Sequence, residues 1–476
     1  MIIGDNRRFY IDGAWVEPRK LHEYEVLNPA TEGAIATISL GSPDDIDLAV
    51  KAARQAFQSF SRTSKQDRID LLQRILAVYK TRYDEMADVI SLELGAPISM
   101  SKNSQAAVGV GHLEGFLKAI DGLTLRQEAA NGDTLIREPI GVCGLITPWN
   151  WPVNQVALKV LPAIAVGCTV VLKPSELTPL SAMLYAEILH EAGVPKGVFN
   201  LVNGDGPVTG AALSRHPDVD MMSFTGSTRA GIAVTKDAAE TVKKVTLELG
   251  GKSPNILFAD ADVEKAVKRG VFGCFYNSGQ SCNAPTRMLV ERPIYQKVLE
   301  VAKATGESQK PGDPAVAGRH IGPVVSALQF DRIQTLIYAG IEEGATLLVG
   351  GPGKPDGFET GYYVRPTIFC DVSNDMRIAR EEVFGPVLTI IPFADEDEAV
   401  RIANDTPYGL AAYIETGDSD RAERVAAELR AGQVYINGTE CGYGSPFGGY
   451  KSSGLGREGG LFGLEDFLEI KAVSRP

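Results

Sequence analysis

The chain has 476 residues, 44% of them hydrophobic and 22% charged, enough apolar material for about three units of roughly 150 residues and little support for a disordered or fibrous protein. Its 47 Lys and Arg against 60 Asp and Glu leave a net charge of −13, which repels a phosphate backbone and argues against nucleic acid as a partner. No uncharged apolar run approaches the span of a bilayer, and the N-terminus lacks an apolar core followed by a cleavage site, so neither a membrane span nor a secretory leader is expected.

The six Cys are scattered without a C-x-x-C pair, which fits reduced thiols and a cytoplasmic setting. The five His form no H-E-x-x-H or H-x-x-x-H pair, so no metal site is expected.

In chain order, the first clear element is a helix opened by Ser42 as N-cap and Pro43 at its first position, with Ile46, Val50, Ala53, Phe57 and Phe60 on one face. A second helical pattern runs from about Gln66 to Leu94 and is stopped by Gly95-Ala96-Pro97. From Gly141 to Gly251, apolar runs alternate with helical patterns: Gly141 to Thr147, Cys168 to Leu172, Val198 to Val202, Val219 to Phe224 and Val245 to Leu249. Runs of this kind, with helices between them ending at Gly167 and Gly193, predict a parallel sheet covered on both faces. That is a nucleotide-binding architecture, whose ligand sits beyond the carboxyl ends of the strands.

After Gly251 the alternation restarts with Asn255 to Phe258, a helix from about Asp262, Met288 to Glu291, Pro386 to Phe393 and Asp395 to Asn404, predicting a second α/β domain. Two polar segments stand apart, Gly122 to Glu138 and the tail after Lys451. The tail ends in Phe467 to Val473, an apolar-rich run with strand character that needs a partner edge and so points to subunit association.

Two segments carry the chemistry. Gln280-Ser281-Cys282-Asn283-Ala284-Pro285 places a thiol in a turn of small and polar residues, an exposed nucleophile. Glu248-Leu249-Gly250-Gly251-Lys252-Ser253-Pro254 places a carboxylate on a Gly-rich turn, where it can activate water against an acyl group held by that thiol. A free thiol has a pKa of about 8.5 and needs help from a helix N-terminus, a cation or a bound cofactor.

Pro148-Trp149-Asn150-Trp151-Pro152 follows the first strand of the parallel set, and an Asn at a strand end can present its amide N–H to an oxyanion. Lys173-Pro174-Ser175-Glu176 ends the next strand, where Lys can reach a ribose or phosphate oxygen and Glu can accept from ribose hydroxyls; the carboxylate repels the extra phosphate of NADP and favours NAD. Phe224-Thr225-Gly226-Ser227-Thr228 runs from a strand end into a helix and would let backbone amides approach a pyrophosphate, although the usual G-x-G-x-x-G fingerprint is absent. Taken singly, the Glu381 to Pro386 and Pro446 to Lys451 loops read as ordinary turns.

In this order, P-W-N-W-P, K-P-S-E, F-T-G-S-T, E-L-G-G-K-S-P, G-Q-S-C, E-E-V-F-G-P and P-F-G-G-Y-K resemble the NAD(P)-dependent aldehyde dehydrogenase superfamily over nearly the whole chain. The resemblance implies two doubly wound parallel-sheet α/β domains and a small oligomerisation β-arm. The implied divisions are residues 1–118 and 139–250 for NAD binding, 251–449 for catalysis, and 119–138 with 450–476 for assembly into a dimer or tetramer. It implies that Cys282 attacks the aldehyde carbon, that Asn150 and the Cys282 backbone N–H hold the oxyanion, and that hydride passes to the nicotinamide to leave a thioester. Glu248 would activate the water that hydrolyses it, with Lys159 and Glu458 as a proton relay. Relatives that pass the acyl group to coenzyme A generally lack that carboxylate.

For NAD, the resemblance implies Ile146, Thr147, Trp149, Lys173 and Glu176 on one side of the cleft. Gly206, Ser227 and Leu249 complete it, with Glu382 on the nicotinamide ribose and Phe384 beside the ring. The substrate wall would include Trp151, Gln155, Leu158, Ser281, Asn283, Cys441 and Phe447, with Glu440 close by. This wall offers no obvious Arg clamp for a carboxylate, which favours bulky apolar or aromatic aldehydes. A cysteine hydrolase or esterase using Cys282 and Glu248 without redox stays open as an alternative; it would not need Lys173 and Glu176.

Overall fold

The structure is a computed structural model that describes residues 4–475. Each apolar run between Gly141 and Gly251 forms a buried strand: β1 (Val142–Ile146), β2 (Thr169–Lys173), β3 (Phe199–Leu201), β4 (Met221–Thr225) and β5 (Lys244–Glu248). These five pair in parallel in the order β5-β4-β1-β2-β3. Gly454–Leu455 joins antiparallel beside β5, and Phe9–Ile11 with Ala14–Val16 closes the far side, giving eight strands. The chain runs outward from β1 to β3 and then returns to the other side of β1, so the strand order reverses between β1 and β4. A crevice opens at such a point beyond the carboxyl ends of the strands.

Helices cover this sheet. α1 (Pro43–Phe60) begins at the predicted Ser42 cap, reinforced by a reciprocal Ser42–Asp45 capping box, and buries Ile46, Val50, Ala53 and Phe60, while Phe57 stays half-buried. α2 (Ala107–Gly122), α3 (Pro152–Val166) and α4 (Leu180–Glu191) pack together, and α3 is buried along its whole length. Gly167 ends α3 with φ 100°, a left-handed cap that glycine adopts without a Cβ penalty.

The pattern from Gln66 to Leu94 is two helices, Lys65–Thr81 and Tyr83–Leu94, rather than one. The break falls at Arg82 (φ −103°, ψ 11°), whose guanidinium bonds Glu85 at 2.6 Å, Glu187 at 2.9 Å and Glu191. Two of those carboxylates lie on α4, so a tertiary ion cluster sits at the break in a locally continuous pattern. Gly95 then stops the second helix with φ 79°.

After Gly251 the chain forms a seven-stranded sheet around β6 (Pro254–Leu257), β7 (Arg287–Glu291), β8 (Thr367–Cys370), β9 (Val387–Phe393), β10 (Ala411–Glu415) and β11 (Gln433–Ile436). The order is β8-β9-β7-β6-β10-β11, all parallel, with Thr346–Val349 antiparallel on the β8 edge. α5 (Thr228–Ala239) covers the first sheet, and α6 (Val263–Phe275), capped by Asp262, covers the second. Only Leu249–Ser253 separates the carboxyl end of β5 from the amino end of β6, so the sheets meet where β5 stops and β6 starts.

The tail run forms a strand, Leu468–Val473, and finds its partner inside the chain. It pairs antiparallel with Thr134–Pro139, which pairs in turn with Arg126–Glu128. Its other edge carries no strand among the described residues, and Ile470 remains 65% exposed. Among the described residues no helix is long and apolar enough to cross a membrane.

Candidate active site

Cys282 sits in a turn that the chain enters through three successive left-handed residues, Asn277 (φ 52°), Ser278 (φ 57°) and Gly279 (φ 72°). Asn and Gly visit this region readily, whereas Ser does so only when its surroundings enforce it. A Cβ at Gly279 would fall 2.1 Å from the Gly385 backbone, so the close approach admits glycine alone.

Buried amides hold the reversed chain. Asn277 Nδ2 donates to the carbonyls of Asn150 (2.9 Å) and Gln280 (3.1 Å), Gln280 Nε2 donates to Asn277 O (3.1 Å), and the Val325 N–H donates to Gln280 Oε1 (2.9 Å). From the P-W-N-W-P segment, Asn150 Nδ2 donates to Gln280 O at 3.0 Å and Trp151 Nε1 donates to Ser281 Oγ at 2.9 Å. The loop after β1 and the thiol turn are therefore stitched together, with the Asn150 amide nitrogen directed at the turn and its second N–H in reserve.

Cys282 is half-buried. Burial pushes its thiol far above the ordinary range, and the Glu382 and Glu248 carboxylates push the same way, while the backbone N–H groups of Asn283 and Cys282 oppose them.

Glu248 ends β5 and is 4% exposed. Neither carboxylate oxygen accepts a hydrogen bond from any described residue. Burial holds its pKa well above the usual carboxylate range; Glu458 adds to the rise, and Lys159 and Arg457 oppose it. Its Oε1 lies against Gly448, where a Cβ would come within 2.5 Å. Behind it, Lys159 of α3 donates to Thr225 Oγ1 at 2.7 Å and forms a buried ion pair with Glu458. The structure thus brings Glu248, Lys159 and Glu458 into one electrostatic cluster beside the Cys282 turn.

The residues expected at the cofactor from the first sheet's side lie at or beyond the carboxyl ends of β1 to β5. Ile146 and Lys173 are register partners, and the Thr147 N–H donates to Lys173 O at 3.2 Å. Lys173 is buried; its Nζ donates to Gly204 O at 2.6 Å and lies 3.7 Å from Glu176. Ser227 caps α5 by accepting from the Ala230 N–H at 3.3 Å, leaving the first amides of the helix for an anion. Gly231 makes room for Leu249, which a Cβ would meet at 2.6 Å. Gly206 is exposed at the start of a helical turn capped by Asp205.

From the second sheet's side, Glu382 accepts from the Gly251 N–H at 2.8 Å, and burial raises its pKa to about 7. Phe384 holds φ 55°, a costly conformation for a bulky residue, secured by Gln329 Nε2 donating to its carbonyl at 2.9 Å. Its ring meets Trp149 edge to face at 5.2 Å. A capped helix terminus, a glycine-lined approach and a carboxylate pinned to the Gly250-Gly251 turn fit a dinucleotide.

Cys282 opens into a cavity of about 260 Å³. Trp151, Gln155 and Leu158 line it from one face of α3, and Asn283, Cys441 and Phe447 line it from the other side. Ser281 and Glu440 lie instead in an adjoining cavity of about 650 Å³, with Trp151, Asn283, Tyr435 and Cys441 shared between the two.

The structure adds residues that the sequence did not mark. His112, Asn154, Gln433, Tyr435 and Tyr443 also line the inner cavity, and Asn277 joins Gln280 in building the turn. His112 lies within α2, in a part of the chain where no motif calls attention to it; Asn277 could have been found as an amide side chain just before the thiol turn.

A model of the aldehyde dehydrogenase family matches residues 15–473. The chain belongs to the aldehyde dehydrogenase family, and its two parallel sheets are the fold of that family. It is 53% identical to a 3-succinoylsemialdehyde-pyridine dehydrogenase of Pseudomonas sp, over 98% of each chain. Among solved structures it is similar to an aldehyde dehydrogenase from Bartonella henselae, at 55% identity and TM-score 0.97 over 99% of each chain. It is also similar to a mutant of aldehyde dehydrogenase C from Pseudomonas syringae in complex with NAD+ and octanal, at 50% identity and TM-score 0.97 over 98% of this chain and 96% of the other.

Proposed function

We propose that this protein oxidises an uncharged aldehyde to its carboxylic acid with NAD, using Cys282 as nucleophile and Glu248 as the base that activates water. The observation that carries the reading is a thiol opening onto a cavity of about 260 Å³ next to a buried carboxylate with no bonded partner among the described residues.

The Cys282 thiol gives up its proton to solvent in the cavity, the thiolate adds to the aldehyde carbon, and the resulting oxyanion is stabilised by the free N–H of Asn150 Nδ2 together with the Cys282 backbone N–H. NAD, when bound, would supply the hydride acceptor. Ile146, Thr147, Trp149, Lys173, Glu176, Gly206, Ser227 and Leu249 would hold it, with Glu382 and Phe384 toward its nicotinamide. Hydride loss from carbon leaves a thioester on Cys282. Glu248 takes a proton from water, the hydroxide attacks the thioester carbonyl, and the C–S bond breaks to release the acid. The Lys159–Glu458 pair lies behind that carboxylate and carries the proton away.

Charge separates the candidate aldehydes. None of the residues lining the inner cavity is Asp, Glu, Lys or Arg, and burial lowers the His112 pKa to about 4, so the wall is neutral at pH 7. A pyridine-bearing semialdehyde and octanal, named with two of the relatives, are bulky uncharged aldehydes of this kind. We assign cofactor binding to residues 1–118 and 139–250, catalysis to 251–449, and self-association to 119–138 with 450–476. The open outer edge of Leu468–Val473 supports a homo-oligomer, and six free cysteines support a reducing, cytoplasmic setting.

The test is NADH formation by the wild-type protein with NAD and a panel of aliphatic, aromatic and carboxylate-bearing aldehydes. Turnover of the uncharged members with acid as product is expected; ester cleavage without NADH formation from any aldehyde would replace this reading with the hydrolase alternative.

A further inference from the structure

Gln155 is one turn of α3 away from Trp151, and with Asn154 and Leu158 it gives the inner cavity its α3 face. It is only 4% exposed, yet its Oε1 accepts a hydrogen bond from no described residue. A buried carboxamide with an idle acceptor costs stability, which a hydrocarbon side chain of similar size would avoid. The cost is recovered when a ligand donates to it.

The neighbours narrow the ligand. His112 Nε2 lies 2.7 Å from Asn154 Oδ1; a carbonyl oxygen only accepts, so Nε2 carries the proton and Nδ1 is the acceptor of the ring. The same contact leaves the Asn154 Nδ2 hydrogens as donors on the cavity wall. Tyr443 packs on His112 edge to face, with centroids 5.0 Å apart, and lies against Gly111, where a Cβ would come within 2.2 Å of its ring. The histidine is thus fixed from both sides. Acceptors and donors side by side match a group that both gives and receives a hydrogen bond, while Leu158 and Phe447 face its hydrocarbon body.

We propose that Gln155 is a specificity-determining residue that reads a hydroxyl group on an uncharged aldehyde, with His112 and Asn154 completing the polar wall. This rests on the dehydrogenase reading above. The hydroxyl donates to Gln155 Oε1 and accepts from the neighbouring carboxamide, and no covalent step is involved. An aldehyde with a methyl group in the same place fills the space and leaves the carboxamide unpaired, which a buried site penalises.

The experiment compares kcat/KM, with NAD, for the three ring isomers of hydroxybenzaldehyde against the matching methylbenzaldehydes, with benzaldehyde as reference. In the wild-type protein at least one isomer is expected to exceed its methyl counterpart by about tenfold or more. In Gln155→Met that ratio is expected to fall to within about threefold. Because the comparison of isomers in the wild-type protein needs no variant, poor folding of Gln155→Met does not shield the proposal. Ratios near unity for all three isomers in the wild-type protein, or a preference that survives Gln155→Met, overturn it while leaving the dehydrogenase reading intact. Failure to form NADH from any aldehyde, benzaldehyde included, overturns both.

Discussion

The thiol turn and the carboxylate beside it are held in opposite ways. Around Cys282 the polar groups are bonded several times over: Gln280 alone accepts at its carbonyl from Asn150 and Asn277, donates through Nε2 and accepts at Oε1. Glu248, equally buried, is bonded at neither oxygen and is positioned by packing against Gly448. The contrast matches the proposed division of labour. A nucleophile must be placed to within a fraction of an ångström, because misplacement of reacting atoms is costly, whereas a base must take up and release a proton with little to hold it in either state. Hydrogen bonds set the position of one group, and desolvation sets the proton affinity of the other.

Replacing each group breaks the comparison in its own way. Cys282→Ala is expected to cause the largest loss, about a thousandfold or more in NADH formation, together with any esterase activity. Substantial turnover by that variant would remove the thiol from the mechanism.

Glu248→Gln is expected to slow steady-state turnover by about a hundredfold to ten-thousandfold while still giving a burst of NADH and an acylated Cys282 visible by mass spectrometry. Because burial raises the Glu248 pKa, wild-type turnover should climb with pH through a point above the usual carboxylate range, and Glu248→Gln should lose that limb. Stability runs the other way. A raised carboxyl pKa favours the folded state while the group is protonated, so the contribution is present at low pH and is lost as pH rises through the folded value. The variant should flatten this dependence, as chemical denaturation across pH would reveal.

Asn150→Ala sharpens the comparison from the side of the turn. It removes an oxyanion donor and a bond to Gln280 O together, so kcat should fall by about a hundredfold to a thousandfold and Tm should drop as well. Unchanged kcat with a lowered Tm would make Asn150 a purely structural tie. The smallest effect is expected far from the chemistry, where Glu176→Gln should narrow the preference for NAD over NADP by about tenfold or less, read as the ratio of kcat/KM values. A wild-type preference for NADP would overturn that assignment.

Much of this was legible in the sequence because the relevant signals are local. Buried parallel strands are continuous apolar runs, and β1 to β5 lie within the runs that predicted them, give or take a residue. The Cys282 turn and Glu248 stood out through their Gly-rich and polar settings, and the resemblance placed Trp151, Gln155 and Leu158 on the wall that α3 provides.

What escaped depends on long-range partners. Nothing near Arg82 foretells a helix break, and two of the carboxylates that meet its guanidinium there lie more than a hundred residues away. His112 gains its meaning only when α2 meets α3 and Asn154 fixes its tautomer. The tail strand's pairing with Thr134–Pro139, some three hundred residues upstream, has no local signal, and its other edge stays open.

The short link from β5 to β6 has a consequence for taking the molecule apart. Leu249 donates to Ser453 O at 2.8 Å, Ser453 Oγ donates to Gly250 O at 2.7 Å, and Gly251 abuts the Cys282 carbonyl so closely that a Cβ would come within 2.3 Å. Severing the gene at this link would produce two fragments, one bearing the carboxylate and the other the sulfur, each expected to be inert alone under the proposed mechanism. Mixing them would report reassembly directly, since only the rejoined pair could turn over.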